Sequence, residues 1–288
     1  MVGVDGSPDA DWAVEWAAVQ AERERRSLIV VHGARATDSD WLAFWTEDRN
    51  RVDRARFEAA QAVVEDALKL VEAHHPAVGA QGYVVDADPR AALVTASETA
   101  HLVVVGRRGR SPWRNVVMGS VSSSVSRHAE CPVLVTGESL PASISGVVVG
   151  AAGTAESMVV IEEAFRQAAL HGVPLTVVHC FWDIAGQQAF GATVQPEELG
   201  VDDLRLLVSQ SVAGFAPEFP DVVVHLELAR GLVDLALTNA TPPNSLLVVG
   251  RGHATSWREH LRVSTALAVL DQARGPVEVV PEAVSGGR

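Results

Sequence analysis

The feature that most constrains the fold of this 288-residue chain is an internal repeat. Four blocks of the first half recur in the second half in the same order, with offsets of 147 residues and then 144. The paired blocks are VGVDGS with VGAAGT, SLIVVHGA with PLTVVHCF, LVVVGRRGRSPW with LLVVGRGHATSW, and CPVLV with GPVEV. Because such a repeat dictates the architecture, the sequence predicts two copies of one domain, 1–137 and 146–282, joined by a linker over 138–145.

Within the first copy, short apolar runs alternate with longer stretches of helical periodicity. The runs are rich in Val, Ile and Leu without polar alternation, which is typical of parallel strands covered on both faces. The strand candidates are 2–5, 28–33, 82–85, 102–106 and 132–136, and the helix candidates are 8–26, 52–73 and 89–99, with a further helix starting near 119–120. This order predicts an α/β fold, a doubly wound five-stranded parallel sheet in each domain.

Composition excludes several classes of function. Apolar residues make up 48% of the chain, yet no uncharged apolar run reaches the roughly 18 residues that a membrane span needs. The net charge is −13, which argues against duplex nucleic acid as a partner. The two cysteines, Cys131 and Cys180, have no metal-site spacing. With no secretory signal at the start, we expect a cytoplasmic protein that neither enters a membrane nor binds nucleic acid.

The long loop after the fourth strand is the strongest candidate for a binding site. Three glycines punctuate it, and a helix is expected to begin at its end. Glycine permits close approach of backbone N–H groups and positive φ angles, while a helix start directs further N–H groups and its dipole toward an anion. The residues expected to form a polyphosphate cradle are Gly106, Gly109, Gly119, Ser120 and Ser122.

Two further features accompany this loop. Arginines concentrate there, with Arg107, Arg108, Arg110 and Arg114 lying within eight residues, although such a cluster is about as often a solvated surface as a phosphate contact. After the first strand, Asp5 can accept hydrogen bonds from a ribose or an adenine. In doubly wound sheets ligands bind beyond the carboxyl ends of the strands, at the point where the strand order reverses.

These residues resemble the universal stress protein family, across nearly the whole chain. The resemblance is carried by VGVDGSP at the start, by LVVVG before the Gly-x2-Gly-x9-Gly-Ser loop, and by CPVLV. It implies the fold of the adenine nucleotide alpha-hydrolases and a site for ATP, with or without Mg²⁺. It also implies that the last strands, 132–136 and 276–280, pair within the chain, and it allows a homodimer. The site residues that it implies are Asp5, Gly106, Arg107, Gly109, Gly119, Ser120, Val121 and Ser122.

The second copy departs from this pattern. Ala152 stands in the position of Asp5, which removes an acceptor for the nucleoside. His253 and Val263 stand in the positions of two loop glycines, and their Cβ atoms should crowd the phosphates. We therefore expect nucleotide to bind mainly in the first domain.

Signatures of an enzyme are scarce. The chain has no GxxxxGK[ST] loop, no G-x-S-x-G elbow and no H-E-x-x-H motif, and no residue is assigned a catalytic or metal-ligating role. A nucleotide-binding regulatory protein is therefore the preferred interpretation. Slow ATP hydrolysis, a scaffold without nucleotide, and cyclic AMP as the ligand remain alternatives.

Overall fold

The computed structural model describes residues 1–35, 49–109, 118–137, 144–154, 157–181, 200–252 and 265–282. The chain forms two compact units, Met1–Leu140 and Pro141–Arg288. Each unit is an open, parallel α/β sheet, which confirms the predicted fold class.

The first unit alternates strands and helices in the predicted order. Its strands are β1 Val2–Gly3, β2 Leu28–Gly33, β3 Ala80–Val85, β4 Val103–Val105 and β5 Val133–Val135. Its helices in the described part are α1 Pro8–Glu24, α2 Arg49–His74, α3 Pro89–Ser97 and α4 Ser120–His128.

The strand order of the first unit is β3-β2-β1-β4-β5, and every pair is parallel. From β1 the chain proceeds outward through β2 and β3, and it then returns to place β4 on the other side of β1. The order reverses between β1 and β4, so the loops that follow these two strands diverge from a common crevice. Val2 is fully buried between Val30 of β2 and Val104 of β4, which shows how apolar this centre is.

Helix α1 begins where the sequence predicts. The Oγ of Ser7 accepts a hydrogen bond from the Ala10 N–H at 3.3 Å, which caps one of the N–H groups that a helix start leaves unpaired. Pro8 follows at the first helical position, where its fixed φ suits the helix and its missing N–H is not needed. The helix ends at Glu24, and its C-cap residue Arg25 adopts the left-handed conformation with φ 54°. Its buried face includes Trp16.

The second unit repeats this architecture. Its strands are β6 Gly146–Gly150, β7 Leu175–Phe181, β8 Val224–Arg230, β9 Ser245–Gly250 and β10 Val277–Val280. Its helices in the described part are α5 Ser157–His171, α6 Asp202–Ala213, α7 Val233–Ala240 and α8 Thr265–Gln272. Its parallel strand order is β10-β9-β6-β7-β8, which matches the first unit read in the opposite direction, β5-β4-β1-β2-β3. Phe165 anchors the core, with its ring 5.2 Å from that of Phe215 and 5.6 Å from that of Phe219.

None of the helices in the described ranges combines the length and the apolar character that a membrane crossing requires.

The helix α3 begins at a carboxylate whose contribution to stability can be tested. Asp88 is the N-cap and accepts the Arg90 N–H at 2.8 Å, while the Arg90 guanidinium contacts the same carboxylate at 2.7 and 3.1 Å. The hydrogen bond from the Arg90 side chain lowers the pKa of Asp88 below its ordinary value, and the Arg90 N–H contributes in the same direction. A lowered pKa contributes stability that is present above the pKa of the unfolded chain and is lost as the pH falls through that of the folded chain.

We expect Asp88→Ala to lower the free energy of unfolding at pH 7 by about 1 kcal/mol, the usual cost of losing an N-cap. The difference from the parent should shrink as the pH falls below about 4, where the unfolded aspartate becomes protonated. Urea unfolding between pH 3 and pH 7 measures it, and Asp86→Ala, an exposed acid two residues earlier, is the control. A gap between parent and Asp88→Ala that does not change with pH would contradict the expectation.

Candidate nucleotide site

A cavity of about 240 Å³ lies at the carboxyl ends of β1, β2 and β4 in the first unit. The first helical turns of α3 and α4 close its sides. The structure brings seven of the eight predicted site residues to this cavity: Asp5, Gly106, Gly109, Gly119, Ser120, Val121 and Ser122. Residues separated by more than a hundred positions in sequence thus share one crevice, because β1 and β4 are neighbours in the sheet.

Asp5 sits in the turn between β1 and α1. Its Oδ1 accepts the Ser7 N–H at 3.0 Å, and Gly6 between them takes the left-handed conformation with φ 74°. The other oxygen, Oδ2, faces the glycine loop: a Cβ added to Gly109 would lie only 2.6 Å from it. A side chain at Gly109 would therefore displace the Asp5 carboxylate, whose close approach joins the two loops of the site.

Gly106 has a different reason to lack a side chain. A Cβ there would lie 2.7 Å from the backbone oxygen of Asp9 in the first turn of α1. The sequence argument assigned this glycine to close approach of a ligand, whereas the structure shows close approach of a helix. None of the three loop glycines has a positive φ, so the conformational freedom that the sequence suggested is not used.

Gly119 is the N-cap of α4 and has ordinary extended backbone angles, φ −72° and ψ 156°. Its N–H donates to the Arg107 carbonyl at 2.8 Å, which closes the loop onto its own start. A Cβ at this position would lie 3.3 Å from that carbonyl oxygen. The position is tight but its backbone suits any residue.

The three residues after Gly119 differ in exposure. Ser120 is exposed, Val121 is half-buried and Ser122 is buried. The Ser122 hydroxyl lies 3.0 Å from the Arg107 carbonyl and 3.0 Å from the Gly119 carbonyl. Since a hydroxyl has one hydrogen, it is directed to these carbonyls rather than to a ligand. The Ser122 hydroxyl is therefore engaged within the protein, whereas the Ser120 side chain is exposed, and the ligand contacts of both serines stay predictions.

The two arginines at the start of the loop are also distinguished. Arg107, the one predicted to bind, is 4% exposed and does not line the cavity. Arg108 lines it instead, and its N–H donates to the Asp9 Oδ2 at 2.9 Å. A run of adjacent arginines does not reveal which one lines the cavity, because the path of the backbone determines this. Arg110 and Arg114 lie outside the described residues.

Sequence reasoning missed the apolar wall of the cavity. It is formed by side chains from four elements or their ends: Val4, Val31, Pro89, Leu93 and Val105. A mostly apolar lining with a few polar groups is characteristic of small-molecule sites. In the sequence most of these residues stand out only as the ends of predicted strands, and a strand end does not show which other residues it will contact.

His32 also borders the cavity, and its Nδ1 lies 2.7 Å from the carbonyl oxygen of Val4. In the second unit the equivalent His179 makes the same contact, 2.8 Å from the Ala151 carbonyl. The contact ties the end of the second strand to that of the first in both copies, including the copy that lacks the acid. We interpret the histidine as structural, as its repetition in the sequence suggests.

The second unit is built differently at the corresponding place. Ala152 replaces the acid, and Leu207 of α6 lies beside the turn, since a Cβ on Gly153 would lie 2.9 Å from its Cδ2. Cys180 stands where the first unit has Gly33, and burial raises its pKa to about 11, so it is a neutral thiol. The predicted obstacles His253 and Val263, and Ser264, lie outside the described residues.

Among the described residues there is no group of three or more His, Cys, Asp or Glu side chains arranged to hold a metal ion.

Together, the duplicated parallel sheet and the strand reversal in each unit define a tandem α/β protein of the doubly wound class. The sequence profile of the universal stress protein family matches residues 1–137 and again 145–281. The chain belongs to the universal stress protein family.

Two relatives and two solved structures illustrate the match. A universal stress protein of Mycolicibacterium smegmatis is 31% identical over 97% of this chain and 96% of its own length. A universal stress protein of Mycobacterium tuberculosis is 28% identical over 99% of this chain and 97% of its own length. The crystal structure of a universal stress protein from Archaeoglobus fulgidus has a TM-score of 0.69 at 18% identity, over 99% of this chain and 97% of that one. A functionally unknown protein from Pseudomonas aeruginosa has a TM-score of 0.60 at 15% identity, over 98% and 92%. At such identities the structures support the fold alone.

We expect Ser122→Ala to lower the free energy of unfolding by about 1 kcal/mol, because a buried hydroxyl bond is lost. The cost stays modest because the Arg107 and Gly119 carbonyls each keep a backbone partner. Chemical denaturation measures the change, and Ser120→Ala, an exposed serine two residues earlier, should stay within about 0.5 kcal/mol of the parent. Equal effects of the two variants would contradict this account of Ser122.

Proposed function

We propose that the first unit binds an adenine nucleotide, with ATP as the preferred ligand, and that the chain acts as a regulatory stress-response protein. The observation that carries this proposal is the cavity at the β1/β4 reversal. It combines an acid, an apolar wall and a helix start within one crevice. Each of these suits a different part of a nucleotide.

The apolar wall suits the flat face of a base, and Asp5 next to it suits the hydroxyls of a ribose or the edge of an adenine. The start of α4 supplies the partial positive charge of a helix N-terminus, with the exposed Ser120 hydroxyl beside it. Arg108 adds a full positive charge to the lining. If Mg²⁺ accompanies the nucleotide, the phosphates themselves would hold most of it, because Asp5 is the single carboxylate among the residues that line the cavity in the described ranges.

The proposal assigns the second unit a weak nucleotide site or none. Ala152 offers no carboxylate to the nucleoside, and the Leu207 side chain lies close to Gly153, which stands where the first unit has Gly6. The alternatives to this proposal are slow ATP hydrolysis, cyclic AMP as the ligand, and a scaffold without nucleotide. A cytoplasmic location, and association through the last strands or as a homodimer, remain predictions of the sequence.

Calorimetric titration of the purified chain with ATP tests the proposal directly. We expect one nucleotide per chain and a large loss of affinity in Asp5→Ala, because the carboxylate lines the cavity. Asp11→Ala, an exposed acid on α1 that does not line the cavity, is the matched control. Two equivalent sites per chain would overturn the assignment to the first unit. No affinity at millimolar ATP, with no ligand released from denatured protein, would favour the scaffold.

Gly119→Val imports the residue that the second copy has at this position, and we expect most of the ATP affinity to be lost while the fold persists. The backbone at Gly119 suits valine, but the larger side chain would stand at the start of α4, where the phosphates are expected. Gly79→Val is the control, because nothing lies within 4 Å of a Cβ there. Titration calorimetry and thermal unfolding of both variants separate binding from stability, and undiminished affinity in Gly119→Val would contradict the placement of the phosphates.

A further inference from the structure

Asp9 connects the first turn of α1 to the glycine loop, although it does not line the cavity. Its Oδ2 accepts the Arg108 N–H at 2.9 Å across a sequence separation of 99 residues. This hydrogen bond to an ionised acceptor is of the stronger kind. It fixes the backbone of Arg108, which is one of the residues that line the cavity.

A second contact of Asp9 reinforces the first. Its backbone oxygen, carbonyl carbon and Cβ crowd against Gly106, within 2.7 to 2.9 Å of where a Cβ would be. The start of the loop is therefore held at two successive points, by packing at Gly106 and by a hydrogen bond at Arg108. One residue past Arg108, Gly109 meets the Asp5 carboxylate.

We propose that Asp9 is a positioning residue for the phosphate-binding end of the site. Its carboxylate holds the Arg108 backbone, and this directs the arginine side chain into the cavity and keeps Gly109 against Asp5. The inference rests on the proposed function, because it concerns the same site. It assigns Asp9 an effect on the phosphates and none on the nucleoside, which lies against the apolar wall.

The two obvious substitutions separate the acceptor from the charge. Asp9→Asn keeps an oxygen that can accept the Arg108 N–H, and it removes a negative charge that would repel phosphates. Asp9→Ala removes both the acceptor and the charge. If the hydrogen bond is what matters, alanine should weaken ATP binding and asparagine should not.

The experiment measures the affinity of the full chain for ATP and for adenosine. We expect Asp9→Ala to bind ATP about tenfold more weakly, as the loss of one charge-assisted hydrogen bond implies, and to bind adenosine within about twofold of the parent on the same reasoning. Asp9→Asn should bind ATP no more than about threefold more weakly than the parent does. Asp11→Ala controls for the loss of an acid from the same helical turn, and thermal unfolding checks that each variant folds.

The outcomes are distinct. If the parent binds no ATP, the proposed function fails and this inference fails with it. If the parent binds ATP and Asp9→Ala binds it equally well, the inference alone is overturned. Equal losses for ATP and adenosine would also overturn it, because they would show a general disturbance of the unit rather than a misplaced phosphate loop. An asparagine variant as weak as the alanine variant would show that the acceptor oxygen is not the cause.

Discussion

The site depends on the close approach of the first turn of α1 to the loop that follows β4. The strand order brings the two segments together, but the order alone does not make them touch. Gly106 allows the contact, because only a residue without a side chain leaves room for the Asp9 backbone. With the helix seated there, the Asp9 carboxylate reaches the Arg108 N–H and the Asp5 carboxylate reaches Gly109. The cavity is the space that remains between these contacts.

The three loop glycines illustrate how one residue type serves separate steric needs. Gly106 admits a helix backbone, Gly109 admits a carboxylate, and Gly119 lies near a carbonyl at the start of α4. None of them relies on a positive φ, which Gly6 in the opposite loop does adopt. A substitution at each glycine should therefore fail for a different reason: at Gly106 through the packing of α1, at Gly109 through the acid, and at Gly119 through the ligand.

Most of the fold could be predicted from the sequence because it follows from local and repeated signals. Ser7 and Pro8 mark the start of α1, and continuous apolar runs mark parallel strands. The acid and the loop residues that line the cavity could also be predicted, since a spaced glycine loop and an acid after the first strand occur in the family that the chain resembles. What could not be predicted were the long-range pairings. The choice of Arg108 over Arg107, the hydroxyl of Ser122 turned to backbone carbonyls, and the bond from Asp9 each depend on where the backbone passes, and periodicity contains no such information.

The contrast between the two units shows which interactions the fold requires and which the site requires. The histidine contact at the end of the second strand persists in both, at His32 and at His179, because it joins neighbouring strands. The acid does not persist, and Ala152 stands in its place in the turn that follows the strand. A duplicated domain can thus lose loop residues that contact a ligand while its buried strands stay constrained by packing.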